Sequence, residues 1–187
     1  MHKDTPNYVL SRDFYNFESF LTTGNTKFWD KMTEKELKIS YKEFAFDELS
    51  AEDRQLVDAA VAAMQNAYSP YSHFKVGAAV RLSDGSIVTG SNQENAAYPS
   101  GLCAERTAMF AASAQHPDLA IRSLAVAGGP DGVLEKTPAS PCGACRQVMA
   151  QYQRRAGAPL SVLVTGADKV LKFERVDDIL PFIFESI

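Results

Sequence analysis

The sequence is short of cysteine, histidine and tryptophan, with 3, 3 and 1 in 187 residues. An odd, small number of cysteines excludes a closed set of disulfides. A chain of this length buries roughly 70% of its unfolded surface, so it needs neither bridges nor a metal merely to stay folded. A surplus of positive charge is lacking too. With 19 Lys+Arg against 23 Asp+Glu, a net charge of −4 and a pI of about 5.4, there is no general footprint for a polyanion, and nucleic acid is disfavoured as the ligand. No apolar run approaches the roughly 18 residues that cross a bilayer. The opening Met1-His2-Lys3-Asp4-Thr5-Pro6 lacks the apolar segment of a secretory signal, so a soluble, cytoplasmic chain with no membrane partner is expected.

What is present is ordinary globular composition, 45% hydrophobic and 22% charged, enough for one domain with an appendage. Residues 1–44 read as the appendage. They hold Tyr8, Phe14, Tyr15, Phe17, Phe20, Phe28, Trp29, Tyr41 and Phe44 without a regular apolar period. So aromatic an arm is a poor solvated linker and is expected to pack on its own domain or on a neighbouring subunit. Met32 within it, followed by Thr-Glu-Lys-Glu-Leu, is a second candidate beside Met1 for the translation start.

From Ser50 onward the pattern is regular. Ser50 with Asp53 three residues later marks a helix start, and Leu56, Val57, Ala60, Val61, Met64 and Tyr68 recur at helical spacing, which predicts a helix over 51–68. Val76, Ala78, Val80 and Leu82 alternate as a strand, Ser83-Asp84-Gly85-Ser86 turns, and Ile87-Val88-Thr89 returns as a hairpin. A helix over 103–115, a strand over 121–127, a Gly/Pro-rich loop, a helix from Pro141-Cys142 to about Arg154, strands over 160–165 and 170–174 and a short helix over 176–180 complete the chain. Strands followed by crossover helices predict an α/β fold, a mixed sheet with helices on both faces.

All three cysteines fall at predicted helix starts: Cys103 at one, Cys142 and Cys145 at the next. Free N–H groups and partial positive charge there favour thiolates, and a spacing of three places Cys142 and Cys145 on one helical face. Three soft ligands suit Zn²⁺ and leave a fourth tetrahedral position for water. Glu105, two residues after Cys103, is placed to take a proton from that water and redeliver it. Three thiolates on a divalent ion leave a negative site; Arg106, donating to the sulfurs, would restore Lewis acidity. On ligand count alone, a closed structural zinc knot with His73, His116 or His2 as fourth ligand satisfies the same residues.

The combination Cys103-x-Glu105 with Pro141-Cys142-x-x-Cys145 is more specific, and it is the three-cysteine form of the zinc deaminase signature. Together with Tyr68-Ser-Pro-Tyr-Ser-His-Phe-Lys-Val-Gly-Ala-Ala, Gly90-Ser-Asn-Gln-Glu-Asn-Ala-Ala-Tyr, Cys103-Ala-Glu-Arg-Thr-Ala, Ser140-Pro-Cys-Gly-Ala-Cys-Arg-Gln and Leu180-Pro-Phe-Ile-Phe, the sequence resembles the cytidine deaminases of free nucleosides over roughly residues 50–184. The resemblance implies a three-layer α/β/α sandwich with a mixed five-stranded sheet over 45–187 and a homotetramer. It also implies zinc-dependent hydrolysis of cytidine and 2′-deoxycytidine to the uridines with release of ammonia, in pyrimidine salvage. It further implies zinc ligands Cys103, Cys142 and Cys145 and the proton carrier Glu105. Substrate contacts would come from Phe74 on the base, Asn92, Glu94 and Asn95 at the sugar, the N–H of Ala104 on the pyrimidine carbonyl and backbone groups at Ser140 and Pro141. Tyr98 and Phe184 resemble positions that reach a neighbouring subunit's site. A zinc deaminase of another nucleoside and a noncatalytic zinc module are the alternatives; Glu105 beside an open coordination position argues against the second.

Overall fold

The computed structural model describes residues 33–184. The chain separates into two compact units, Met1–Lys38 and Ile39–Ile187; of the first, residues 33–38 are described, as exposed coil. The second unit carries strands β1 (Lys42–Phe44), β2 (Phe74–Leu82), β3 (Ile87–Ser91), β4 (Ile121–Pro130), β5 (Ser161–Thr165) and β6 (Val170–Phe173). Its helices are α1 (Ala51–Ala63), α2 (Ala104–Gln115) and α3 (Gly143–Ala156). One six-stranded sheet has the order β1-β6-β5-β4-β2-β3, antiparallel throughout except for the parallel pair β4–β5.

Period-two alternation builds the layers. Ala78, Val80, Leu124, Val126, Val162 and Val164 face one side, where they bury against Ala104, Ala108 and Met109 of α2 and Cys145 and Met149 of α3. Their neighbours Ala79, Ala125, Ala127 and Leu163 face the other side, against Leu56, Val57 and Ala60 of α1 and Met64 just beyond it. The result is the expected three-layer α/β/α sandwich with six strands in place of five. The additional strand is β1, from the last residues of the segment that the sequence reading left outside the domain. It pairs with β6, Lys42 opposite Lys172 and Phe44 opposite Val170, and ion pairs Lys42–Glu174 and Lys169–Glu43 flank the junction.

Other boundaries differ for local reasons. The Ser50 hydroxyl accepts the Asp53 N–H and caps α1 as expected. That helix closes at Ala63 and tightens into a 3-10 turn over Met64–Asn66, short of the predicted 68. The chain must turn there, because Tyr68 bridges Gln93 and its N–H donates to the Asn92 carbonyl, and because Ser69 precedes Pro70. Strand β4 runs three residues past Ala127, since Gly128, Gly129 and Pro130 still pair with Val76, Lys75 and Phe74. Glycine is needed at 129, where a Cβ would strike the Val133 carbonyl. The terminal helix over 176–180 is a 3-10 turn, Val176–Asp178.

The placement of α2 depends on Gly90. A Cβ on that residue would collide with Ala108 N and Ala104 O, so the first turns of α2 lie directly on β3. That contact sets the height of Cys103 and Glu105 above the sheet.

Candidate active site

Helices α2 and α3 begin side by side. Cys103 is the N-cap of α2 and Cys142 the N-cap of α3, while Cys145 lies one turn into α3, with none of the three in a disulfide. The three sulfurs lie within 4.8 Å of one another; Cys103 Sγ is 3.8 Å from Cys142 Sγ, which is 3.4 Å from Cys145 Sγ. Thiolates about 2.3 Å from a tetrahedral Zn²⁺ stand about 3.8 Å apart, so the trio fits that ion. Among the described residues this is the one such cluster, and neither His73 nor His116 joins it; His2 lies outside the described residues.

A cavity of about 770 Å³ opens onto the cluster and is lined by Cys103, Cys142, Glu105 and Arg106. Glu105 is 4% exposed, and burial, then the charge of Cys103, pushes its carboxyl above the usual carboxylate range. Hydrogen bonding with Cys145, and then with Arg106, lowers the Cys103 thiol to about 5 against the cost of burial, while hydrogen bonding with Cys103 and burial push the Cys145 thiol up. The Arg106 Nη2 donates to Cys103 Sγ at 3.8 Å, and its Nε is buried with no partner among the described residues.

The substrate-contact candidates divide by position. Phe74, Asn92, Glu94, Asn95, Tyr98 and Ser140 line the same cavity. Ala104 is fully buried at the first position of α2, beneath the wall. Phe184 is apart from this cavity, 77% exposed, with its backbone N–H and carbonyl both bonded to the Gln147 side chain. Asn92 is already engaged: its Oδ1 accepts the Val76 N–H at 2.8 Å and its Nδ2 donates to the Phe74 carbonyl at 2.9 Å. One amide hydrogen and one lone pair remain for a ligand. Glu94 Oε2 accepts from the Tyr71 and Ser72 N–H groups at 3.0 and 3.2 Å. Hydrogen bonds from the Ser72 side chain and Tyr71 N–H hold this carboxyl below its ordinary value, so it stays ionised.

Sequence reasoning named no role in the site for Tyr71, Ser72, Gln93, Leu102, Val126 or Ala139, which complete the wall together with Val76 and Gly101. Tyr71, Ser72 and Gln93 fall inside the quoted motifs and were within reach of that reasoning. Leu102, Val126 and Ala139 are apolar residues from three separate stretches with no chemical signature of their own.

Comparison with known proteins agrees with this geometry. The family model for the cytidine and deoxycytidylate deaminase zinc-binding region matches residues 50–157. A cytidine deaminase of Halalkalibacterium halodurans is 47% identical over 100 residues, 53% of this chain and 71% of that protein. One from Mycobacterium tuberculosis is 38% identical over 125 residues, 67% of this chain and 84% of the other. The crystal structure of cytidine deaminase from Burkholderia pseudomallei superposes with a TM-score of 0.58 at 40% identity, covering 70% of this chain and 97% of that one.

Proposed function

The chain belongs to the cytidine and deoxycytidylate deaminase family of zinc-binding hydrolytic deaminases, and from that membership we propose that it deaminates the free nucleosides cytidine and 2′-deoxycytidine. The observation that carries the reading is the buried Glu105 on the wall of one cavity together with Cys103 and Cys142, two members of the three-sulfur cluster that the buried Cys145 completes. Cys103, Cys142 and Cys145 would hold the ion, and zinc bound there supplies the Lewis acidity that lets water lose a proton near neutral pH.

The chain's own groups do the rest. Glu105 takes one proton of the attacking water and passes it to N3 of the pyrimidine, then takes the second proton from the oxygen now on C4 and passes it to the amine, which leaves as ammonia as the C4–N bond breaks and the C4 carbonyl forms. Its raised affinity for a proton suits a group that must hold one between transfers. Phe74 stacks on the base, the remaining valences of Asn92 and Glu94, with Asn95 beside them, take the sugar hydroxyls, and the Ala104 N–H meets the pyrimidine carbonyl. Backbone groups at Ser140 and Pro141 hold the reacting face. Among the described residues Arg106 is the one cation on the cavity wall, and it is already directed at Cys103, so these residues offer no clamp for a 5′-phosphate, which favours a nucleoside over a nucleotide.

The same proposal includes a homotetramer in which Tyr98 and Phe184 reach a neighbour's cavity, a cytoplasmic role in pyrimidine salvage, and residues 1–44 as an extension to a domain over 45–187. Among the described residues no helix is long and apolar enough to cross a membrane. The test is ammonia release from purified protein of measured zinc content, supplied in parallel with cytidine, deoxycytidine, CMP and adenosine. Turnover of the two cytosine nucleosides alone supports the reading, and preference for CMP or adenosine rejects it.

A further inference from the structure

The segment between β4 and α3 is tied down over residues 131–135 by backbone hydrogen bonds, but its second half, which carries Ser140 on the cavity wall and leads into Cys142, is barely fixed by them. Among the described residues, the stretch from Lys136 to Pro141 makes one hydrogen bond: Arg146 Nε donates to the Pro141 carbonyl at 2.8 Å. The same guanidinium reaches the other way, with Nη1 donating to the Ile179 carbonyl at 2.9 Å. Next along α3, the Gln147 amide brackets the backbone of Phe184, donating to its carbonyl at 2.9 Å and accepting its N–H at 3.1 Å. Two turns on, Gln153 Oε1 accepts the Val176 N–H at 2.9 Å. The end of the chain is therefore stitched along α3, and its first stitch is shared with the residue preceding Cys142.

The shared peptide gives the stitch its leverage. In a trans peptide the carbonyl and N–H point in opposite directions, and no cis bonds occur among the described residues. Fixing the Pro141 carbonyl toward Arg146 thus fixes where the Cys142 N–H points and, with Cys142 at φ −68° and ψ 164°, where its Cβ projects. A guanidinium suits this task because its planar fork donates to two acceptors at once, which an ammonium on a flexible stem does less rigidly.

We propose that Arg146 is a positioning residue which, with Gln147, uses the chain's end at residues 176–184 to hold the Pro141–Cys142 turn in register with Cys103 and Cys145. This rests on the reading of those cysteines as the zinc ligands. Groups that orient metal ligands from outside the coordination sphere typically change metal affinity or activity by about 10- to 100-fold when lost.

The test uses the full, zinc-loaded chain and follows zinc transfer to a chromogenic chelator at about 25 °C, with circular dichroism confirming that each variant stays folded. Arg146→Met, which keeps length and loses every donor, is expected to release zinc at least about tenfold faster. Its kcat should fall with little change in KM, because Arg146 touches no substrate. Arg146→Lys should recover part of both, and Gln147→Leu should speed release by about threefold, a smaller loosening of the same support. A folded Arg146→Met protein that releases zinc and turns over cytidine at wild-type rates overturns the proposal. If Arg146→Met does not fold, Gln147→Leu decides, and a wild-type release rate there overturns it. A wild-type protein that binds no zinc would reject the site reading itself, whereas zinc-loaded wild type with insensitive variants rejects this inference alone.

Discussion

Glu105 combines two properties that oppose each other in water, a carboxyl able to ionise and a place in the hydrophobic core. It shares the first turn of α2 with Ala104, which is fully buried, and lines the cavity while staying 4% exposed. Glu105→Ala is expected to keep the fold and the zinc and to lower cytidine turnover by at least about 10²-fold, the scale of losing a general acid and base. Wild-type turnover in that variant would reject the assignment. Arg106 acts on the sulfurs, and Arg106→Ala leaves the charge of Cys103 uncompensated. The acid limb of its kcat/KM profile should move to higher pH, and an unmoved limb would refute the charge argument. These residues were legible in the sequence because their chemistry is local: cysteine at helix starts, a carboxylate two positions on, an arginine next. The occupation of Asn92 by the Val76 N–H and the Phe74 carbonyl was not, since nothing in residues 90–98 shows that its amide borders β2.

At the scale of elements, the contact of α2 with β3 through Gly90 is the least tolerant of change. Gly90→Ala would push a methyl group into the backbone of Ala104 and Ala108, and overpacking of this kind costs about 1–3 kcal/mol. Urea unfolding should show that loss, and zinc content should fall with it, because Cys103 moves with the helix. The β1–β6 edge carries a pH dependence of definite sign. The hydrogen bond from Lys42 holds the Glu174 carboxyl below its ordinary 4.5. Its contribution is therefore present above about pH 4.5 and lost as pH falls through the lowered value. Amide exchange in β6 should accelerate selectively in acid, and Glu174→Gln should abolish that acid dependence; a variant that behaves like wild type would refute it. Both partners are exposed, so the effect is small and local. Periodicity made α1 and the β2–β3 hairpin legible, and good helix formers, with a proline at the entry of α3, made α2 and α3 legible. Periodicity failed for β1 because three residues, Lys42-Glu43-Phe44, are too few to show an alternation and become a strand only by pairing with β6. It failed for the end of β4 because Gly-Gly-Pro ordinarily breaks a strand, whereas here the glycines permit the close approach of Val133.

For the whole molecule, the exposed aromatics are the feature that one chain leaves unexplained. Tyr98 is 79% exposed and Phe182 88%, and Phe184 stands clear of its own chain's cavity. In the proposed homotetramer these side chains are covered by neighbours, and sedimentation should give four times the 20.5 kDa of one chain. A sharper test mixes two inactive proteins. Phe184→Ala retains Glu105, and Glu105→Ala retains Phe184, so hybrid assemblies should regain turnover above the sum of the parents; no gain would place Phe184 outside the site. The division of labour within one chain has a further consequence. Since Asn92 is pinned between two backbone groups of β2, its rotamer is chosen when the sheet forms. A sugar arriving there meets a side chain whose ordering entropy, about 0.5–1.5 kcal/mol for a group of this kind, was already lost at folding. On the proposed reading, discrimination between nucleosides at that position would be a property of the architecture, and loosening β2 at residues beyond Phe74 would blunt it without touching a proposed ligand contact.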